Sequence, residues 1–207
     1  MNDIDFHGAT FNAFSCWATA VDGSSTPQFT GIFDGNGYSL LNINPGAQMA
    51  GNNDWSIFGV IGKTGVVRNL SVIGAKISNR AGVISSYLIG TIENCYVEAT
   101  ITGTANANLN NPIGAIAEKT IGGSLIENCI AVVTVEDGVT TTFAGGIAGQ
   151  LVGAMKNSYV VNVGGSLGVH DGSANSTGTT ENCAPFADLA AFYNAETGAD
   201  TESFGSI

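Results

Sequence analysis

The chain has 207 residues, of which 44% are hydrophobic, 11% are charged and 29 are glycine; that balance suits a long buried core and excludes a coiled coil or an acidic disordered tail. Six basic against 17 acidic residues give a formal charge of -11, which repels phosphate backbones and anionic lipid and argues against any nucleic-acid partner. No stretch reaches the roughly 18 uninterrupted apolar residues of a membrane span, so no membrane insertion is expected.

The chain opens Met1-Asn2-Asp3-Ile4-Asp5, without the basic and apolar regions of a signal peptide. Either it is not exported by that route, or Met1 begins a fragment without its leader. Residues 1–30 are the least repetitive and most aromatic, with Phe6, Phe11, Phe14, Trp17 and Phe29. The open end of a stack of strands exposes edges and core, so this segment is read as an N-terminal cap and first coil. An exposed aromatic recognition surface is the other reading. Next, Asp34-Gly35-Asn36-Gly37 sits between apolar residues and predicts a turn, because Asp, Asn and Gly tolerate positive φ. It lacks the further oxygen ligands and closing Glu of a calcium loop, so no metal is expected. Residues 44–54 read as a polar loop.

From residue 31 to 183 one unit recurs: an apolar Gly-rich strand, a turn, and a second strand entered through Asn. Gly145-Gly146-Ile147-Ala148 leads to Met155-Lys156-Asn157-Ser158, Gly114-Ala115-Ile116-Ala117 to Ile126-Glu127-Asn128-Cys129, and Gly82-Val83-Ile84-Ser85 to Ile92-Glu93-Asn94-Cys95. Ile57-Phe58-Gly59 leads in the same way to Val67-Arg68-Asn69-Leu70, and weaker echoes stand at Leu40-Leu41-Asn42-Ile43 and Thr180-Glu181-Asn182-Cys183. A fixed anchor with variable spacers is what a coil of strands tolerates, since insertions bulge outward.

Within a copy the residues alternate: after Asn94, Cys95, Val97, Ala99 and Ile101 face in, while Tyr96, Glu98 and Thr100 face out. No helical segment of 10 to 15 residues separates the copies, which excludes βαβ packing. An antiparallel sandwich would not require one residue type at one place in every copy. Parallel stacking does, because each copy lies on the equivalent residues of its neighbour. The reading is therefore all-β, a β-solenoid, with Asn42, Asn69, Asn94, Asn128, Asn157 and Asn182 forming a buried ladder whose amides bond up and down the stack. The column before it (Arg68, Glu93, Glu127, Lys156, Glu181) reads as a solvated charged face, and the next (Leu40, Val67, Ile92, Ile126, Met155) as core. Of the cysteines Cys16, Cys95, Cys129 and Cys183, the last three follow Asn directly, where Leu70 and Ser158 stand in other copies. They are expected to be free buried thiols, since stacked strands do not turn their Cβ atoms toward each other.

After Pro185 the pattern changes. Phe186, Leu189, Ala190 and Tyr193 have the spacing of one helix face, so residues 184–207 are read as a C-terminal cap with a short amphipathic helix over the last coil.

The stretch Phe29 to Tyr38, then Ile57-Phe58-Gly59, then the Gly-x-Ile-[Ala/Ser] and Ile-Glu-Asn-Cys-Tyr copies resemble the GLUG-motif repeat proteins of bacterial surfaces. The likeness extends to Asp3-Ile4-Asp5-Phe6 and to the closing Phe186 to Ile207. It implies a right-handed parallel β-helix in extracellular multi-domain proteins associated with adhesion, and it transfers no catalytic residue. The last copy departs from it, with Gly172-Ser173-Ala174-Asn175-Ser176 in place of the apolar strand. Members of the family usually continue past the equivalent of Ile207, which points to a longer parent chain.

Function is less legible. Polysaccharide lyases of this fold generally place a basic residue beside carboxylate-bound calcium, whereas Arg68 and Arg80 sit in no Asp cluster and His7 and His170 stand in opposite end regions, each read as a surface residue. The expectation is therefore that the chain is not an enzyme, binds no cofactor, and acts as an extracellular or cell-surface adhesion module. A structural element of a fibre or virion appendage is the alternative, with a polysaccharide-degrading enzyme behind it. The outward position two after Asn carries Tyr96, Ile130 and Tyr159, and this stripe is the expected contact surface, for neutral glycans or for host or neighbouring proteins.

Overall fold

A computed structural model describes residues 2–11, 28–45, 56–77, 81–102, 112–139 and 141–195. Phe14, Trp17, Cys16, Arg80, Trp55 and the tail from Gly198 lie outside them. Every pairing between the described strands is parallel, which is the parallel β-helix expected from the repeat. Each coil contributes one strand to each of several sheets. The six-stranded sheet holds Ile32–Asp34, Val66–Arg68, Thr91–Glu93, Leu125–Glu127, Ala154–Lys156 and Thr179–Glu181. The seven-stranded sheet runs from Ile4–Asp5 and Ser39–Leu41 through Ser71–Ile77, Tyr96–Ile101, Ile130–Val135 and Tyr159–Val163 to Ala184–Phe186. A four-stranded sheet is built on Phe58–Ile61, Ser85–Leu88, Ala117–Thr120 and Ala148–Gln150. Strands thus extend into both terminal segments, at Ile4–Asp5 and at Ala184–Phe186.

The glycine that opens each repeat copy has a steric cause. A Cβ on Gly114 would stand 2.1 Å from the carbonyl oxygen of Ala117 and 2.4 Å from the backbone nitrogen of Gly149 in the next coil. No side chain fits where the chain bends this tightly against its neighbour. The interior is a continuous apolar column in which Val67, Ile92, Ile126 and Met155 are wholly buried and in register. Leu40 does not belong to this column as expected: Phe33 pairs with Val67, and Leu40 pairs with Val72 on the seven-stranded sheet. The turn at residues 34–37 is the reason, because it already makes the corner that the reading had assigned to Asn42.

Helix α1, Leu189–Asn194, is capped by Asp188, whose carboxylate accepts the Ala191 N–H at 2.7 Å. It lies against the outer face of the seven-stranded sheet, on Tyr159–Val163 and on Ala184–Phe186 of the last coil. Phe192 is its buried residue, while Leu189 and Tyr193 of the expected apolar face are exposed.

Candidate functional site

At the junction of the six- and seven-stranded sheets, Asn69, Asn94, Asn128, Asn157 and Asn182 all adopt left-handed φ between 45° and 53°. Asn accepts this conformation because its short amide bonds locally. Each of the first four also donates its main-chain N–H to the next coil, as from Asn94 to the Glu127 carbonyl at 3.0 Å. The side chains bond in one direction: Asn94 Nδ2 donates to Asn69 Oδ1 (3.4 Å), Asn128 Nδ2 to Asn94 Oδ1 (3.2 Å), and Asn182 Nδ2 to Asn157 Oδ1 (2.9 Å). The ladder runs along a partly exposed corner and is not buried. Asn69 donates in turn to the Asp34 carboxylate at 3.0 Å. That bond, then the Asn36 N–H and Arg68, holds the Asp34 carboxyl below the usual range.

Asn42 is corrected out of the ladder. It has the same φ of 54°, but it follows Ser39–Leu41 of the seven-stranded sheet and its Nδ2 donates to Asp5 at 3.0 Å. Two equivalent turns explain this. In Asp34-Gly35-Asn36-Gly37, Asp34 Oδ1 accepts the Asn36 N–H (2.9 Å) and the Asn69 amide; in Asp5-Phe6-His7-Gly8, Asp5 Oδ1 accepts the His7 N–H (2.8 Å) and the Asn42 amide. Each aspartate thereby seats a left-handed Asn of the following coil.

The charged column is in register as read, and Asp34 joins it. Arg68 lies between Asp34 (2.9 Å) and Glu93 (3.9 Å), and Lys156 pairs with Glu181 at 3.2 Å. In the next position Cys95 and Cys129 are buried free thiols, each donating to the carbonyl two residues earlier, and Cys183 is free but only partly buried. Burial pushes the Cys129 thiol well above its ordinary value.

The tyrosine stripe does face outward, yet it is not a surface. Tyr96, Ile130 and Tyr159 are no more than 4% exposed and form a second core with Val132, Val161 and Phe192. Phe192 of α1 stands 5.9 Å from the Tyr159 ring and 5.3 Å from Phe186. The expectation of an open contact stripe is overturned by its own apolarity, which is enough to hold a helix. Tyr96 is pushed up to about 12, first by burial and then by the charges of Glu98 and Tyr193.

Two clefts lined by described residues open on the first coils. A cleft of about 490 Å³ is lined by His7, Gly8, Asn42, Ile43, Gly74 and Lys76. Four of these are left-handed: His7 (50°), Gly8 (75°), Asn42 (54°) and Gly74 (74°). Gly74 sits in a β-bulge, since Val72 opposes Val97 but Ala75 opposes Ala99. A Cβ there would come 2.9 Å from Asn42 Oδ1, so the glycine makes room for the amide. Asp5 Oδ2 lies 3.3 Å from His7 Nδ1, beside the exposed ring. A second cleft of about 260 Å³ is more apolar, with Ile4, Phe33, Tyr38, Leu40 and Leu70 in its lining beside Asp34. Sequence reasoning passed over His7 as a surface residue. The signal available was the repeated Asp-x-x-Gly spacing at residues 5–8 and 34–37.

No family model matches the chain. A stretch of 97 residues, 46% of the chain, is 32% identical to halomucin of Haloquadratum walsbyi (strain DSM 16790 / HBSQ001), and spans 1% of that protein. A crystal structure from Bacteroides ovatus, described provisionally as an immunoglobulin A1 protease, is similar at a TM-score of 0.53 and 23% identity. That match covers 88% of this chain and 66% of the other, so the chain spans less than two thirds of either relative. At such identity the structural likeness shows the fold alone. It still corrects one expectation: the chain cannot be set down as no enzyme, because a protein provisionally assigned as a protease shares its architecture.

Proposed function

We propose that the chain is an extracellular surface module of the GLUG-repeat kind, whose first coils recognise a neutral glycan or a host or neighbouring protein. The observation that carries this reading is the pair of clefts on the first coils. Helix α1 packs on the outer face of the seven-stranded sheet at Tyr159–Val163 and Ala184–Phe186, at the opposite end of that sheet from the first coils, on which both clefts open. A stack pinned through main-chain bonds at every coil holds such clefts rigidly, which limits the entropy lost on binding. The charge of -11 turns the choice of partner away from acidic polymers. The 97 residues shared with a protein whose name marks a mucin favour an extracellular setting.

Binding of the whole chain to an array of neutral glycans, and to purified mucin-type glycoproteins before and after deglycosylation, tests the proposal. Released fragments are followed in the same samples. Retention on glycan or glycoprotein is the expected result, and retention on neither overturns it. Fragment release would add turnover to recognition.

A further inference from the structure

The cleft around His7 holds more chemistry than a chain reversal requires. Among the described residues, every other positive-φ position is Asn or Gly, the types that adopt this conformation readily. At residue 7 the chain carries an imidazole instead. Asp5 stands beside the exposed ring. Its Oδ1 is occupied by the His7 N–H and the Asn42 amide, and its Oδ2 faces His7 Nδ1 at 3.3 Å. In the neutral imidazole placed this way Nδ1 carries the proton, which leaves Nε2 as an acceptor on the opposite side of the ring.

Lys76 supplies the complementary group. It projects from the outer face of the seven-stranded sheet, two residues past the bulge at Gly74 that re-registers the strand. Arg68 and Lys156 are engaged in ion pairs, and Lys119 lies 5.9 Å over the Tyr87 ring. Lys76, by contrast, makes no ion pair with any described residue. Its ammonium is a donor only, and with Asp5 it leaves the cleft near neutrality on a chain of charge -11. An acceptor and a donor lining one hollow suit hydroxyls, because a hydroxyl gives one hydrogen bond and accepts another. The volume of about 490 Å³ falls in the range of small-molecule sites.

We infer that this cleft binds a neutral saccharide of one or two rings through its hydroxyls, one donating to His7 Nε2 and another accepting from Lys76 Nζ. The inference rests on the glycan branch of the proposed function and adds the place and the chemistry.

The test is an amide chemical-shift titration of the whole chain with lactose, cellobiose and mannobiose, with glucuronic acid as the acidic control. His7→Asn keeps a residue that accepts left-handed φ and removes the ring; Lys76→Met keeps most of the stem and removes the charge. At least one disaccharide should shift residues 5–8, 42, 43 and 74–76 with millimolar affinity. Each variant should weaken that binding about tenfold while leaving the rest of the spectrum in place. Three results overturn the site: no disaccharide shifts these residues, the shifts map to other coils, or both variants bind as the parent does. Tighter binding of glucuronic acid overturns the ligand class. If the whole chain is retained on the glycan array through other coils, the site fails and the surface role stands.

Discussion

Replacing Asn128 separates the two contributions of a corner asparagine. Its φ of 52° costs a residue with an ordinary Cβ roughly 1–2 kcal/mol, whereas Asn and Gly tolerate it. Its Nδ2 bond to Asn94 Oδ1 is 3.2 Å long and solvent-exposed, so its net value is about 0.5–1 kcal/mol. Asn128→Ala loses both and should cost about 1.5–3 kcal/mol. Asn128→Gly loses the bond but accepts the backbone freely, and with the added chain entropy of glycine it should cost about 1–2 kcal/mol. Urea unfolding followed by far-ultraviolet circular dichroism gives the midpoints, which should fall in the order parent, Gly, Ala. If Ala is as stable as Gly, the left-handed corner is not what selects Asn. If neither substitution moves the midpoint, the ladder contributes nothing and the stacking argument loses its main support.

Asp34 and Asp5 have carboxyls held below the ordinary value of 3.8, by the Asn69 and Asn42 amides first. Their contribution is present above that value and lost as pH falls through the lower folded one, so Asp34→Asn should flatten the acid limb of a stability-against-pH curve. Tyr96 carries the opposite sign: its phenol is pushed from 10.0 to about 12, so stability is lost as pH rises between them. An absorbance titration should find its phenolate forming near the upper figure, and nearer the ordinary one in Phe192→Ala, which uncovers the stripe. A thiol reagent should label Cys183 faster than Cys95 and Cys129, which should react only on unfolding; labelling of all three at one rate in the native chain would refute the burial of Cys95 and Cys129.

The stacking was legible because it imposes the same demand at the same place in each coil. Gly82, Gly114 and Gly145 would each drive a Cβ into backbone, and Asn69 to Asn182 each turn the chain left-handed, so composition had to repeat with geometry. Asn42 misled because a left-handed Asn is also right for a different corner, and spacing alone cannot tell which sheet it follows. The stripe misled for another reason. Alternation gives the direction of Tyr96, Ile130 and Tyr159 correctly, but it says nothing of what comes to rest on them. That depends on Phe192, more than thirty residues beyond Tyr159, and on a helix whose face is set by packing and not by its own period. The cleft was hidden because it joins His7 and Gly8, Asn42 and Ile43, and Gly74 and Lys76 from three coils, and the Asp-x-x-Gly spacing at residues 5–8 marks only the first of these.

The two Asp-x-x-Gly turns account for the two clefts on the first coils. Later coils turn their corner with a single left-handed Asn, so each strand passes directly onto its neighbour and the corner stays flush. The coil at Ile32–Asp34 instead spends four residues on the corner, since Asp34 opposes Arg68 while Ser39 opposes Ser71. Two extra residues must stand off the stack, and the hollow beside Asp34 and Tyr38 is the result. The same turn at residues 5–8, set against the bulge at Gly74, leaves the larger hollow with His7 on its rim. In a stack whose strength comes from repetition, these two recesses form where the repeat is broken, and the larger of them carries His7 and Lys76, which packing does not use.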